Sequence, residues 1–178
     1  MHIRDATEED LPQVLQVHRA AFGGETEAGL VRAILADPSA QPLLSLLAVE
    51  ADAALGHVLF TPARLAGAEE ETAMAILAPL AVVPEAQGKG IGSRLVEAGL
   101  MRLAERGIAL VFVLGDPAYY RRFGFTPAAP LGLAAPFPLP DEYLEAWRVR
   151  ALRDQAPGQP RGTVVCCDSL MKPELWRE

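Results

Sequence analysis

The sequence predicts a mixed α/β fold in which helices flank one central sheet. The segment 73–83 is apolar nearly throughout, as expected of a strand that is covered on both faces. A glycine-rich turn and an amphipathic segment follow it, and then a second apolar run at 108–114. Because a strand, a helix and a strand in this order form a right-handed crossover, the two apolar runs are expected to be parallel neighbours.

The chain before these runs predicts one short strand, at 3–6, and two helices. Thr7 is followed by acidic residues and is therefore a suitable N-cap for the first helix. Gly23 and Gly24 are expected to end that helix, and Thr26 to cap the second one. The apolar face of the first helix would consist of Leu11, Val14, Leu15, His18 and Phe22.

Two further segments, 43–49 and 55–64, predict a β-hairpin, since only a short turn separates them. The glutamates at 69–71 are expected to lie in a solvated loop. The segment 128–140 is rich in proline. A helix is predicted directly after it, because Leu144 and Trp147 could share a helical face. The expected elements are a short helix at 117–122, a strand starting at Phe125, an extended loop at 128–140, a short helix at 141–149 and a last strand at 162–167.

Length and composition limit the classes of protein to consider. The 178 residues can bury one good core, so a single domain over 1–178 is expected. The longest apolar runs are too short to span a bilayer and no leader-like segment precedes Ile3, so a cytoplasmic location is expected. The net charge of −7 argues against nucleic acid or an anionic membrane as a partner. Adjacent Cys166 and Cys167 would point to opposite faces of a strand, which implies no disulfide.

The turn after the first apolar run has the composition of an anion-binding site. Glycines allow a backbone to approach a ligand closely, and the first-turn N–H groups of the next helix would point into the same space. A Walker A loop is excluded because Lys89 is not followed by Ser or Thr. The dinucleotide fingerprint requires a different glycine spacing and fits poorly. Gln87, Gly90 and Gly92 instead match a third pattern, Gln/Arg-x-x-Gly-x-Gly/Ala.

A second motif follows at 113–125, where Tyr120 precedes Gly124 and Phe125. Together the two motifs resemble the acetyl-CoA signature and the tyrosine landmark of the GNAT N-acetyltransferases. With Gly56-His57 on an earlier strand, they are particularly similar to the YhbS-like subgroup. The resemblance is good over 1–126, and the divergent 127–178 would complete the sheet and the acceptor site. It implies a mostly antiparallel sheet of about six to seven strands with a splayed parallel pair.

The resemblance also implies an activity, the acetyl-CoA-dependent transfer of an acetyl group to a primary amine of a small molecule or a protein. The amine would attack the thioester directly, and Tyr120 would act as the general acid that protonates the CoA thiolate. No metal is implied. Residues implied to bind the cofactor are Leu80, Ala81, Val82, Gln87, Gly88, Lys89, Gly90, Ile91, Gly92, Ser93, Asp116 and Tyr119; for Asp116, capping of the short helix is an equally good explanation.

The general base is left open, because the strand 73–83 carries no carboxylate in its interior. Candidates are His57, the pair Glu70 and Glu71, Glu142 and an ordered water. The acceptor amine is expected to meet the first helical region, the proline-rich loop and the segment 141–147. An acidic amine pocket that contains Glu25, Asp141 or Glu142 is a hypothesis.

Two alternatives compete with the acetyltransferase interpretation. A non-catalytic acyl-CoA-binding or sensing module would keep the glycine turn without needing Tyr120 as an acid. A transferase of longer acyl chains would differ in the pocket beside Pro79 and Leu80. Dimers are frequent among similar proteins, so a homodimer is one expectation for the assembly.

Overall fold

The computed structural model describes residues 1–68, 72–153 and 160–177. The α-helices are α1 (Leu11–Phe22), α2 (Thr26–Leu35), α3 (Ile91–Glu105) and α4 (Pro117–Arg121). The strands are β1 (His2–Asp5), β2 (Leu44–Glu50), β3 (Ala53–Leu65), β4 (Met74–Val82), β5 (Leu110–Leu114), β6 (Thr126–Pro127), β7 (Leu133–Ala134), β8 (Trp147–Ala151) and β9 (Gly162–Val165).

These strands form one mixed sheet, which confirms the predicted fold class. Its main path runs β1-β2-β3-β4-β5-β8-β6, while β9 pairs with β3 and with β7 off this path. Along the main path, β4 and β5 are parallel and every other neighbouring pair is antiparallel. The sheet has nine strands where six to seven were expected, because β6 and β7 are two-residue segments that carry little sequence signal.

The first half of the chain contains the predicted elements, but the predicted caps are wrong: Thr7 caps a 3-10 turn ahead of α1, whose own N-cap is Asp10, and Thr26 lies inside α2. A 3-10 turn at Glu8–Asp10 precedes α1, and Thr26 is the first residue of α2 with Glu25 as its N-cap. The hairpin of β2 and β3 turns at Ala51 and Asp52, which have φ angles of 49° and 65°. Two left-handed residues in succession give the turn that suits the twist of paired strands.

The helix predicted at 141–149 is wrong. A 3-10 helix at Asp141–Ala146 is followed directly by β8, which pairs antiparallel with β5. Trp147 is 1% exposed whereas Leu144 is 43% exposed, so the two side chains do not share a face. Pairing with the free edge of β5 overrides the helical spacing, because it satisfies a row of backbone groups that a short helix would leave unpaired.

The proline-rich stretch also contains more structure than the predicted loop. A 3-10 helix at Ala129–Leu131 and strand β7 lie within it, and β7 pairs parallel with β9. The predicted loop at 69–71 lies outside the described residues. Cys166 and Cys167 are buried free thiols, but they lie directly after β9 and not within the strand predicted at 162–167.

Helices cover both faces of the sheet because the side chains of β2 alternate between them. Leu46 packs in the same cluster as Leu95 of α3, whereas Leu47 packs with Val14 of α1 and Val31 of α2. Among the described residues, no helix is both long and apolar enough to cross a membrane.

Strands β4 and β5 separate partway along their length, and this separation positions the site. Their parallel ladder begins at Met74 and Leu110 and ends at Leu77 and Val113. β4 continues to Val82 while paired only with β3 in the described part of the chain. In the described part of the chain its edge towards β5 is therefore open beyond Leu77, and the backbone groups that face this edge have no strand partner.

On the face of the sheet that α1 covers, a chain of buried hydrogen bonds links α1 to strands β2 and β3. His57 Nδ1 lies 2.9 Å from His18 Nε2, and His57 Nε2 lies 2.8 Å from Ser45 Oγ. Both rings are fully buried. Burial lowers the pKa of His18 to about 4; burial and the neighbouring His18 lower the pKa of His57 to about 3. Both imidazoles are therefore neutral at physiological pH.

Because His18 and His57 are buried as neutral rings, we expect the protein to lose stability at mildly acidic pH. The unfolded chain takes up protons on both rings below pH 6.5 and the folded chain does not, so each histidine should lower the free energy of unfolding by about 2 kcal/mol between pH 7.5 and 5. Urea titrations followed by tryptophan fluorescence at the two pH values measure this change. His18→Gln should roughly halve the fall, and His2→Gln, at an exposed histidine, should leave it intact. A wild-type protein equally stable at both pH values would contradict this assignment.

Candidate functional site

The turn between β4 and α3 has the backbone shape of an anion cradle. A 3-10 turn at Pro84–Ala86 leads into Gly88 and Gly90, whose φ angles are 77° and 82°. Residues with side chains rarely adopt this left-handed region, so the turn requires glycine at both positions. Gly90 directly precedes α3, whose first hydrogen bond runs from Arg94 N to Gly90 O at 3.1 Å. The N–H groups of the first helical turn are thus open to an anion.

Gln87, the polar residue of the glycine motif, has a structural role here. The Gln87 side chain donates from Nε2 to the carbonyl oxygen of Val82 at 2.9 Å. Val82 is the last residue of β4, so this bond fixes the turn against the open end of the strand. The turn and the free edge of β4 consequently keep a defined geometry relative to each other.

An open cavity of about 420 Å³ lies between this turn, the end of β4 and α4. It brings together most of the predicted cofactor residues from two distant parts of the chain. Its lining residues are Leu80, Val82, Ala86, Gln87, Gly88, Gly90, Ile91, Gly92, Ser93, Tyr119 and Arg122. Ala81 lies between two lining residues but is buried, and it pairs with His57 of β3.

Arg122 is the only cation among the described residues that line the cavity, and sequence reasoning missed it. Its guanidinium donates from Nη2 to Ser93 Oγ at 3.2 Å. It also stacks over the Tyr119 ring, with 4.7 Å between Cζ and the ring centroid. Because Arg121 and Arg122 are adjacent, the sequence does not show which one faces the turn. The spacing of three residues between Tyr119 and Arg122 was the available signal, since such residues share a helical face.

Tyr119 closes the cavity beside the start of α3. Its hydroxyl lies 2.6 Å from the position that a Cβ atom would occupy at Gly92, so glycine there permits a close approach of the two helices. Burial raises the pKa of Tyr119, while hydrogen bonds with Ser93 and the nearby Arg122 partly oppose this shift. The phenol is therefore a neutral hydrogen-bonding group at the cavity wall.

Tyr120 lies behind this wall rather than on it. Its side chain is buried, and its ring packs edge-on against Tyr119 and Phe125 at centroid distances of 5.0 and 5.7 Å. At Gly115, directly after β5, a Cβ atom would lie only 2.4 Å from the Tyr120 ring. Burial, followed by the charges of Tyr119 and Asp116, raises the pKa of Tyr120, so its hydroxyl stays protonated at neutral pH.

Two charged residues that were predicted to bind the cofactor, Lys89 and Asp116, lie away from the cavity lining, as does Arg94 of α3. Lys89 is exposed at the tip of the turn, and Arg94 is exposed on the outer face of α3. Asp116 accepts a hydrogen bond from Ala118 N at 2.9 Å and caps α4. Of the two interpretations of Asp116, cofactor binding and helix capping, this contact favours capping.

The described candidate bases and acceptor residues belong to three different elements of the fold: β3, the start of α2 and the 3-10 helix Asp141–Ala146. Both ring nitrogens of the fully buried His57 have hydrogen-bond partners, so this ring offers no free atom to an amine. Glu25 pairs with Arg19 at 2.6 Å. Asp141 and Glu142 are exposed at the start of the 3-10 helix. Glu70 and Glu71 lie outside the described residues, and the described part of the chain contains no cluster of three potential metal ligands.

Comparisons with known proteins agree with this geometry. The family model described as Acetyltransferase (GNAT) domain matches residues 2–128. The uncharacterized N-acetyltransferase YjhQ of Escherichia coli is 44% identical over 168 residues, which cover 94% of this chain and 91% of YjhQ. The uncharacterized N-acetyltransferase YhbS of the same organism is 36% identical over 148 residues, covering 83% of this chain and 84% of YhbS.

Two solved structures are similar over nearly the whole chain. The crystal structure of Escherichia coli YhbS in complex with CoA superposes with a TM-score of 0.86 at 33% identity, covering 96% of this chain and 92% of that one. A GNAT family acetyltransferase from Brucella melitensis, in complex with acetyl-CoA, gives a TM-score of 0.74 at 32% identity, with coverages of 94% and 96%. The matched family model and these relatives establish that the chain belongs to the GNAT family of acetyltransferases.

Proposed function

We propose that this protein transfers the acetyl group of acetyl-CoA to a primary amine of a small molecule or a protein. The observation that carries the proposal is the cavity where the glycine turn, the open edge of β4 and α4 meet. Acyl transfer from a CoA thioester needs an anion site beside a strip of free backbone groups, and this cavity provides both. The YhbS and Brucella melitensis relatives, crystallised with CoA and acetyl-CoA, support the choice of cofactor.

The pyrophosphate of the cofactor binds at the start of α3. Backbone N–H groups from Gln87 to Ser93 surround it, and the positive end of the helix dipole favours its charge. Arg122 supplies the nearest side-chain cation, held over Tyr119 and beside Ser93. On binding, the guanidinium exchanges its hydroxyl partner at Ser93 for phosphate oxygens, which form stronger charge-assisted hydrogen bonds.

The pantetheine arm then follows β4 beyond the end of its parallel ladder. Leu80 and Val82 line the cavity, and the backbone there has no neighbouring strand on the side of β5 in the described chain. A backbone N–H of Ala81 or Val82 donates to the thioester oxygen and stabilises the negative charge that develops during attack.

The chemical step is a direct displacement. The amine nitrogen attacks the thioester carbon, the carbonyl bond re-forms and the carbon–sulfur bond breaks. The departing thiolate takes the phenolic proton of Tyr120, the attacking amine releases its proton to water, and a proton from solvent restores the phenol. Burial raises the pKa of Tyr120, which keeps the phenol protonated at neutral pH but makes it a weaker acid than a thiol.

One observation favours a second candidate, a non-catalytic acyl-CoA-binding module. Tyr120 is buried behind Tyr119 and does not line the cavity, whereas a sensing module would require only the glycine turn. Both candidates bind acetyl-CoA, but only the acetyltransferase releases CoA in the presence of an amine.

The cofactor assignment predicts that Arg122→Met weakens acetyl-CoA binding about tenfold, because one charge-assisted contact to phosphate contributes on the order of 1–2 kcal/mol. Calorimetric titration with acetyl-CoA measures this change. Arg121→Met is the matched control, since Arg121 is an exposed neighbour that does not line the cavity. Equal affinities in the two variants would remove Arg122 from the phosphate site.

The catalytic assignment predicts that Tyr120→Phe lowers kcat at least about 100-fold, the usual scale for losing a general acid. A thiol-release assay over a panel of primary amines measures turnover. The dissociation constant of acetyl-CoA should stay within about threefold, because the phenyl ring keeps the packing around Tyr120. Tyr119→Phe, next to it on the cavity wall, should change KM for acetyl-CoA more than kcat. Turnover by wild type that Tyr120→Phe does not slow would exclude this residue as the acid.

A further inference from the structure

Arg148 is a buried cation on β8 that lies at the level where β4 and β5 separate. It pairs with Val113 of β5, and Val113 is also the last partner of Leu77 in the parallel ladder. The residue is only 4% exposed. The nearest carboxylate oxygen, that of Glu145, is 3.8 Å away on an exposed side chain. A charge is costly to bury, so the contacts that hold this guanidinium indicate what it is used for.

The guanidinium joins two separate segments through their backbone carbonyls. Its Nε and Nη2 atoms donate to Phe125 O at 3.3 and 2.9 Å. Its Nη1 atom donates to Glu145 O at 2.9 Å. Phe125 follows α4, which carries Tyr120, whereas Glu145 belongs to the 3-10 helix Asp141–Ala146. A planar fork of donors can serve two segments at once, which a lysine ammonium cannot do in the same geometry.

Both segments are in turn fastened to Tyr120. Phe125 donates from its backbone N to Tyr120 O at 3.3 Å, and its ring packs edge-on against the tyrosine ring. Gly115, against which the Tyr120 ring packs, donates from N to Ala146 O at 3.0 Å. Arg148 therefore closes a loop of contacts that surrounds Tyr120.

We propose that Arg148 is a positioning residue, which fixes Tyr120 relative to the segment Asp141–Ala146 and so aligns the acid with the acceptor side of the site. The inference rests on the proposed role of Tyr120 in catalysis. Arg148 touches neither cofactor nor amine; it acts through the carbonyls of Phe125 and Glu145. Its removal leaves the buried Phe125 carbonyl without its side-chain donors and breaks the contact to Glu145 O, which lets the two segments shift independently.

A double-mutant cycle tests whether Arg148 acts through Tyr120. Arg148→Met should lower kcat at least about tenfold and leave the dissociation constant of acetyl-CoA within about threefold, because the glycine turn is not in contact with it. Tyr120→Phe should then cost much less in the Arg148→Met background than in wild type, since residues that act as a unit are not additive. Equal factors in both backgrounds would overturn the proposal.

A conservative variant and a matched control complete the kinetic test. Arg148→Lys keeps the charge but cannot span both carbonyls, so its kcat should also fall at least about tenfold; wild-type kcat in this variant would overturn the proposal. If Arg148→Met does not fold, Arg148→Lys replaces it in the test. Arg102→Met removes a partly exposed arginine of α3 that pairs with Asp5 of β1 at 2.8 Å, and it should leave kcat unchanged.

Hydrogen exchange without substrate separates this inference from the proposed function. In Arg148→Met or Arg148→Lys, the amides of Gly115 and Phe125 should exchange at least about tenfold faster, while those of 88–93 keep wild-type rates. Unchanged exchange at Gly115 and Phe125 would overturn the positioning role. Absence of turnover in wild type, with faster exchange in the variants, would refute the acetyltransferase proposal and leave the positioning of Tyr120 supported.

Discussion

The site depends on one constraint, the early end of the parallel ladder between β4 and β5. Pairing stops at Leu77 and Val113, although β4 runs on to Val82. A complete ladder would satisfy the backbone of β4 and close the sheet, leaving no space for a ligand. The separated strands instead present free peptide groups beside the first turn of α3. An anion site and a strip of hydrogen-bonding backbone are thereby produced by the fold itself.

Side chains support this opening more than they line it. Gln87 ties the turn to Val82, and Arg122 lies between Tyr119 and Ser93 at the mouth of the cavity. On the far side, Arg148 joins the turn after α4 to the 3-10 helix Asp141–Ala146. These arginines differ in environment, since Arg122 is exposed and available to phosphate whereas Arg148 is buried and bonded to carbonyls. The same residue type thus suits a ligand contact in one place and a brace in the other.

The sequence predicted the features that local chemistry determines. Glycines at 88 and 90 indicated a left-handed turn, and both have positive φ angles. The apolar run that became β4 indicated a central strand. Strand β8 could not be predicted, because Leu144 and Trp147 fit a helical spacing and only the free edge of β5 makes the strand favourable. The role of Arg122 was equally hidden, since it depends on how α4 packs against the start of α3. Tyr120 was identified by resemblance, yet its burial behind Tyr119 follows from tertiary packing.

The most direct test of the glycine turn as the cofactor site is calorimetric titration of acetyl-CoA into wild type, Gly90→Glu and Gly23→Glu. Gly90 and Gly23 have φ angles of 82° and 74° with open space around them, so both variants carry similar backbone strain and the same added charge. Wild type and Gly23→Glu should bind with equal affinity, and Gly90→Glu at least about 100-fold more weakly, because its carboxylate repels the pyrophosphate. Equal binding by all three proteins, or no binding by wild type, would contradict the account.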